Sequence, residues 1–290
     1  MIQPPAPISQ SFGTIAIVGV GLIGGSIALA AKSRGAAQSV IGVGRDAQRI
    51  DQARRRGIID EGLVDLAAAV RRADLVVFCT PVDRIVAGVR EAAATCREGT
   101  LVTDAGSVKG CIARELASGL PIGIEFVGSH PLAGSEQQGF EHADLRLFEN
   151  RVCVVTPLAT SPRSAVERIA AFWKALGANV VEMSPEAHDT ALAETSHLPH
   201  LVAAALAAAL SPDNSALAAS GFRDTTRIAS GDPDLWTAIF LGNGRQILAS
   251  LTKFDQLLSE FRQALELDDA QALKKLLVAA KMSRERNRVM

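Results

Sequence analysis

The stretch that most constrains this chain is Thr14 to Ser26, TIAIVGVGLIGGS. A β-branched apolar run, Thr14 to Val18, ends in Gly19-Val20-Gly21-Leu22-Ile23-Gly24, and an Ala/Leu/Ile-rich pattern at helical spacing follows to about Lys32. Strand, glycine turn and helix in that order form the fingerprint of a dinucleotide-binding βαβ unit. Gly19 makes the tight turn, Gly21 leaves room for a pyrophosphate against the backbone, and Gly24 lets the helix pack on the strand. The open N–H groups at the helix start, Leu22 and Ile23, then face the phosphates. A glycine-rich turn alone is common for steric reasons; here both flanks fit.

The segments that follow extend the same design. Ser39 to Val43 reads as a second strand, closed by Gly44-Arg45-Asp46. An NAD site places an acid here for the ribose hydroxyls. Gly44 instead removes the repulsion of a 2′-phosphate and Arg45 offers a planar cation to clamp it, so NADP is favoured over NAD. Asp46 argues the other way, and an Arg45 that is merely exposed would leave the site open to both. Helices are expected at Ala47 to Arg56 and Leu63 to Arg72, then a fully buried strand within Ala73 to Pro81, with Thr80-Pro81 at the carboxyl end, where open α/β sheets bind ligands. A helix to about Ala94, a strand Thr100 to Asp104 and a helix from near Val108 repeat the unit, and Ser107 stands where a capping serine would. A strand Glu125 to Gly128 delivers Ser129-His130-Pro131 to the same edge, and strands Val152 to Thr156 and Asn179 to Glu182 flank a helix from about Ser161 to Leu176.

From Ser184 the strand signal ends. Pro185 to Leu210 is Ala/Leu-rich and carries His188, His197 and His200; Asp232 to Leu265 has apolar residues at helical spacing; Asp268 to Arg288 closes the chain. The expected architecture is therefore α/β: a loose arm over 1–12, a Rossmann-type doubly wound sheet over 13–183, and an all-α domain over 184–290. The apolar faces of that last part exceed what about a hundred residues can bury alone, which suggests dimerisation with a second copy.

Composition narrows the partners. Thirty Lys and Arg against 31 Asp and Glu, a formal charge of -1, supply no basic excess for nucleic acid or a membrane surface. The longest apolar run, Leu201 to Leu210, is too short to span a bilayer, and the first residues lack the basic-then-apolar pattern of a secretory signal, so a cytoplasmic protein is expected. Cys79, Cys96, Cys111 and Cys153 are too scattered for a disulfide framework or metal site and read as reduced thiols. His197 and His200 would share a helix face, but no third ligand is evident and Pro199 lies between them, so no metal is expected. With no Tyr in the chain, no phenol can act as acid or base.

Five stretches in order, GVGLIGGS (19–26), DAGSVK (104–109), GSHPLAGSE (128–136), SHLPH (196–200) and GFRDTTRIASGDPDLW (221–236), resemble the prephenate and arogenate dehydrogenases of tyrosine biosynthesis. The resemblance spans about Thr14 to Leu265. It lacks the mutase segment and regulatory ACT domain of longer relatives, which speaks against direct tyrosine feedback through such a domain. It implies oxidative decarboxylation of a cyclohexadienol: hydride leaves the hydroxyl-bearing ring carbon for the nicotinamide, and carbon dioxide departs as the ring becomes aromatic.

The resemblance also assigns roles. His130 becomes the partner of the ring hydroxyl, since a neutral imidazole can accept its proton near pH 7, and Ser107 becomes either a second hydrogen-bonding group at that centre or only a helix cap. His197 and His200 fall at the mouth of the substrate pocket. Arg227 matches the arginine that meets a substrate carboxylate, the alternative being a surface ion pair with Asp224 or Asp232. Ser135 and Glu136 are expected to shape the pocket; Trp236 either lines it or belongs to the core. Another two-domain reductase would lack the GSHPLAGSE and SHLPH signatures, and a nucleotide-sensing dimer would give His130 no reason to sit at the sheet edge.

Overall fold

The computed structural model describes residues 11–134 and 137–286, and they form two compact units, Met1–Asn243 and Gly244–Met290. The first is built on one eight-stranded sheet: β1 (Phe12–Val18), β2 (Ala37–Val43), β3 (Glu61–Leu63), β4 (Leu75–Phe78), β5 (Leu101–Asp104), β6 (Glu125–Pro131), β7 (Val152–Pro157) and β8 (Asn179–Glu182). Their spatial order is β3-β2-β1-β4-β5-β6-β7-β8, parallel except where β7 runs antiparallel to β6. The first six strands thus follow the doubly wound order, with its switch point between β1 and β4.

Side-chain alternation explains why helices cover both faces. Ile15, Ile17, Leu75, Val77 and Leu101 enter one core, whereas Ala16, Val76, Phe78 and Val102 enter the other. A strand buried on both faces reads as an unbroken apolar run, as β4 (LVVF) does. Each fully buried Val, Leu or Ile contributes roughly 1.5–3 kcal/mol relative to exposure, so the sheet is the rigid part from which the loops project.

The connecting helices are α1 (Leu22–Ser33), α2 (Ala47–Arg55), α3 (Leu66–Val70), α4 (Val82–Ala93), α5 (Gly110–Leu116) and α6 (Arg163–Ala175). After β8 come α7 (Pro185–Leu192), a π-helical turn at Ala193–His197, α8 (Leu198–Ala209), α9 (Ser220–Thr226) and α10 (Pro233–Gly242). Ser184, with Pro185 in the first turn, starts α7 by accepting the Ala187 N–H, and Asp232 caps α10, again before a proline. The second unit is α11 (Gly244–Glu266) and α12 (Ala270–Arg286), which pack on each other.

Two local expectations change. Residues 61–63 form β3, an edge strand too short and too polar to show an alternating pattern, and the helix expected from Leu63 begins only at Leu66, where Asp65 caps it. His130 lies inside β6 rather than on the loop beyond it. The antiparallel partner carries the ladder on, pairing His130 with Val154 and Pro131 with Cys153, so the imidazole is anchored by a strand. Within the Ala/Leu-rich run from Pro185 to Leu210, the π turn stands immediately before α8, whose first turn holds Pro199. A proline ring clashes with the carbonyl four residues back, and a wider turn accommodates that clash.

Beneath the end of β6 lies a buried ion pair, Lys109 with Asp104, both side chains about 1% exposed or less. Lys109 Nζ also donates to the Ser129 carbonyl at 2.9 Å, and Asp104 accepts from Gly106 N at 2.9 Å and Ser129 N at 3.2 Å. Removing one partner strands a charge in the core. Lys109→Met is expected to lower stability by about 3–5 kcal/mol in urea unfolding. Breaking the exposed Arg163–Glu182 pair with Arg163→Ala should leave stability nearly unchanged, because solvent screens that pair; equal losses would contradict the asymmetry.

Candidate active site

The glycine turn has the geometry that a dinucleotide requires. Gly19 has φ +97°, and a Cβ there would stand 2.8 Å from the Cys79 carbonyl oxygen; a Cβ on Gly24 would stand 2.1 Å from the Gly19 oxygen. Gly21 faces open space, nothing lying within 4 Å of its Cβ position. As N-cap of α1 it offers no side chain, so the N–H groups of the first turn, beginning at Leu22 and Ile23, stay open to an anion. At the end of β4, the buried Thr80 hydroxyl has no partner among the described residues, and Pro81 opens α4. An orphaned hydroxyl beside an open turn at the switch point fits a bound dinucleotide.

On the β2 side, a cavity of about 410 Å³ is lined by Val20, Gly44, Arg45, Asp46, Arg49 and Ile50. The Asp46 carboxylate is turned to α2, accepting from Gln48 N at 2.9 Å and Arg49 N at 3.2 Å as its N-cap. Arg49 pairs with Glu141 at 3.0 Å. Arg45 is exposed. Of the three charges in this wall, Arg45 is the cation not engaged by a described residue.

At the other end of the edge, β6 carries His130 into a buried polar network. His130 Nδ1 lies 2.9 Å from His188 Nε2, and His188 Nδ1 lies 2.8 Å from Asp189 Oδ1. The Asp189 carboxylate also accepts from Lys109 N at 2.8 Å and Gly110 N at 2.7 Å, at the start of α5. It therefore fills the capping position for which Ser107 was a candidate. Ser107 stays on the loop between β5 and α5, half-buried, and α5 begins three residues later, with no side-chain cap from its own N-cap residue, Lys109. Asn243 closes the network: its Nδ2 donates to the Asp189 carbonyl at 2.8 Å and lies 3.1 Å from His197 Nδ1.

His197 and His200 both meet Trp236. The His200 ring stacks on the indole, with centroids 3.5 Å apart at 16°, and His197 stands edge-on at 6.3 Å. Trp236 serves two purposes, being half-buried against the Val82, Val108 and Ile239 cluster while presenting a face to His200. Arg227 is exposed at the end of α9, and the 3-10 turn it opens, Arg227–Ser230, packs on α8, which carries His200. Ser135 and Glu136 lie outside the described residues. The loop leading to them touches the fingerprint: a Cβ on Gly134 would stand 3.7 Å from Ile23 Cδ1.

Burial sets the electrostatics. His130 is held well below the usual imidazole range, first by desolvation and then by His188, Lys109 and His197. His197 is lowered to about 4, mainly by burial, with Asp189 opposing the shift; burial lowers His200 as well. Near neutral pH these three rings are uncharged.

Two family profiles match, "prephenate dehydrogenase, nucleotide-binding domain" over residues 27–182 and "prephenate dehydrogenase, dimerization domain" over 184–279. The chain belongs to the prephenate dehydrogenase family. This member is 36% identical to the prephenate dehydrogenase of Bacillus subtilis over 96% of its own length and 77% of the relative's, and 36% identical to the cyclohexadienyl dehydrogenase of Zymomonas mobilis over 90% and 92%. Among solved structures it is similar to the Aquifex aeolicus prephenate dehydrogenase in complex with hydroxyphenyl propionate and NAD+, with a TM-score of 0.88, 31% identity, and 96% of this chain and 99% of that one covered. It is therefore a nicotinamide-dependent dehydrogenase with a Rossmann sheet followed by a helical domain, as its sequence motifs imply.

His188 and Asp189 of this dehydrogenase were not singled out by sequence reasoning. The signal available was a titratable pair inside an otherwise Ala/Leu-rich helical run, 58 residues from His130 and related to it by no spacing rule.

The buried neutral rings make stability pH-dependent. Above pH 6.5 neither folded nor unfolded chain protonates them; below it the unfolded chain binds protons that the native state refuses, so stability falls as pH falls. Carboxylates held low, such as Glu61, Glu141 and Asp232, act only below about pH 4.5. Between pH 6.5 and 5, His197 should cost about 2 kcal/mol of stability. Urea unfolding should show that loss, and His197→Gln should reduce the slope; an unchanged slope would contradict the assignment.

Proposed function

We propose that this protein oxidises and decarboxylates prephenate or arogenate in tyrosine biosynthesis, with NADP favoured over NAD. The observation that carries the reading is the pairing, along one sheet edge, of an open glycine turn with a buried neutral histidine. A dinucleotide bound at the turn would have the β2 wall with Gly44 and Arg45 on one side and the ends of β4, β5 and β6 on the other to hold it. Gly19, Gly21, Leu22, Ile23 and Gly24 would hold the pyrophosphate, Thr80 and Pro81 the chain beyond it, and Gly44 with Arg45 the ribose end. A bound oxidised nicotinamide supplies the hydride acceptor.

The chain's own residues do the rest. His130 Nε2 takes the ring hydroxyl proton as hydride leaves the same carbon, and loss of the carboxyl group as carbon dioxide completes the aromatic ring. Ser107, on the adjoining loop, adds a hydrogen bond to that centre. Arg227 meets a substrate carboxylate, with His197 and His200 at the pocket mouth and Trp236 lining the pocket. Aromatisation drives the reaction, so binding needs chiefly to align the reacting carbon and to exclude water.

The preference for NADP rests on Asp46 being engaged as a helix cap, which leaves Arg45 as the charge for a 2′-phosphate. The helical part, 184–290, is proposed as the substrate and dimerisation domain of a cytoplasmic homodimer. Leu257, Leu258, Leu265, Leu277, Val278 and Met282 on its last two helices are exposed in the single chain. Among the described residues no helix is long and apolar enough to cross a membrane.

Mixing pure protein with each substrate and each oxidised cofactor, and following absorbance of the reduced nicotinamide, tests the reaction. Turnover with at least one of the four pairs is expected. Arg45→Ala should weaken NADP binding about 10-fold or more while leaving NAD within about 3-fold; equal effects would overturn the cofactor preference. His130→Asn should lower kcat by about 10²–10⁴ with cofactor affinity retained, and near-normal turnover would remove His130 from the chemistry.

A further inference from the structure

The network around His130 fixes more than its position. Asp189 Oδ1 already accepts the Lys109 N–H, and Oδ2 the Gly110 N–H, so the carboxylate is an acceptor throughout and the His188 nitrogen 2.8 Å away must carry the proton. A neutral imidazole with its proton on Nδ1 has a bare lone pair on Nε2. That lone pair faces His130 Nδ1 at 2.9 Å, so His130 donates there and its other nitrogen is left unprotonated. The opposite logic holds at His197. Asn243 directs its amide N–H groups to the Asp189 carbonyl and to His197 Nδ1, so His197 accepts at Nδ1 and carries its proton on Nε2.

We propose that His188 and Asp189 are positioning residues that lock His130 as a proton acceptor at Nε2, while Asn243, tied to the same Asp189, locks His197 in the reverse tautomer as a donor. One aspartate thereby sets two histidines to opposite hydrogen-bonding roles. The charged and titratable groups acting on the two rings are Lys109, itself paired with Asp104, His188 and Asp189 on α7, His197 on His130, and His200 of α8 on His197. His188 touches His130 and no reacting atom, so its effect passes through the tautomer. The kinetic part of the inference rests on the proposed dehydrogenase reaction; the tautomers do not.

Long-range ¹H–¹⁵N spectra of the full-length protein labelled with ring-¹⁵N histidine read the tautomers directly, and with five histidines in the chain each can be assigned by substitution. At pH 7.5, His130 should show a protonated Nδ1 and a bare Nε2, and His197 the converse. A protonated Nε2 on His130, or the same tautomer on both rings, overturns the proposal. In kinetics, His188→Gln keeps an acceptor for His130 Nδ1, whereas His188→Leu removes it. His188→Leu should lower kcat about 100-fold with KM within about 3-fold, and His188→Gln should recover most of that loss. Equal losses in both variants, or a parallel rise in KM, would mean that His188 only supports the fold. If wild-type protein oxidises neither substrate, the reaction fails but the spectra still decide the tautomers.

Discussion

The Asp189 carboxylate is the interaction on which the site depends. It stands at the start of α5, accepting two backbone N–H groups that a helix of seven residues would otherwise leave open, and from there it accepts His188. Its own carbonyl receives Asn243 from the end of α10. One residue therefore joins α7, the loop after β5, and the last residue of the first compact unit, and through His188 it reaches β6. A site assembled from segments so far apart in the chain needs such a joint, because loops held only by apolar contact would not set a ring nitrogen to within a few tenths of an ångström.

Burial then converts that geometry into chemistry. Removed from water and placed beside His188 and the Lys109 ammonium, His130 is held uncharged near neutral pH. The Lys109–Asp104 pair below it is expensive to bury, and its hydrogen bonds to Ser129 and Gly106 account for its tolerance there. Ser129 extends the same scaffold, bonding Thr103 and Trp173 at 2.9 Å each, so the residue before the imidazole is pinned from β5 and α6.

Much of the fold was legible because glycine spacing and apolar runs are local signals. The turn at Gly19 to Gly24, the buried β4 and the change to helices at Ser184 all appear in a window of a dozen residues. The elements that differ from that reading are those decided by partners distant in sequence. β6 is longer than its apolar run because β7 pairs with it, and β3 exists because β2 offers it an edge. For the site, His130, His197 and His200 were visible through motifs, whereas His188, Asp189 and Asn243 were not. Their roles arise from contacts spanning 46 to 80 residues, which no periodicity encodes.

The central claim is that a neutral imidazole on β6 faces the ring alcohol across from the nicotinamide. A crystal structure of the protein with NADP+ and hydroxyphenyl propionate tests it most directly. The account predicts the phenolic oxygen within roughly 2.6–3.2 Å of His130 Nε2, with the nicotinamide on the other side of the ring. A ligand seated with that oxygen away from His130, bonded to other groups, would contradict it and leave only a nucleotide-binding fold.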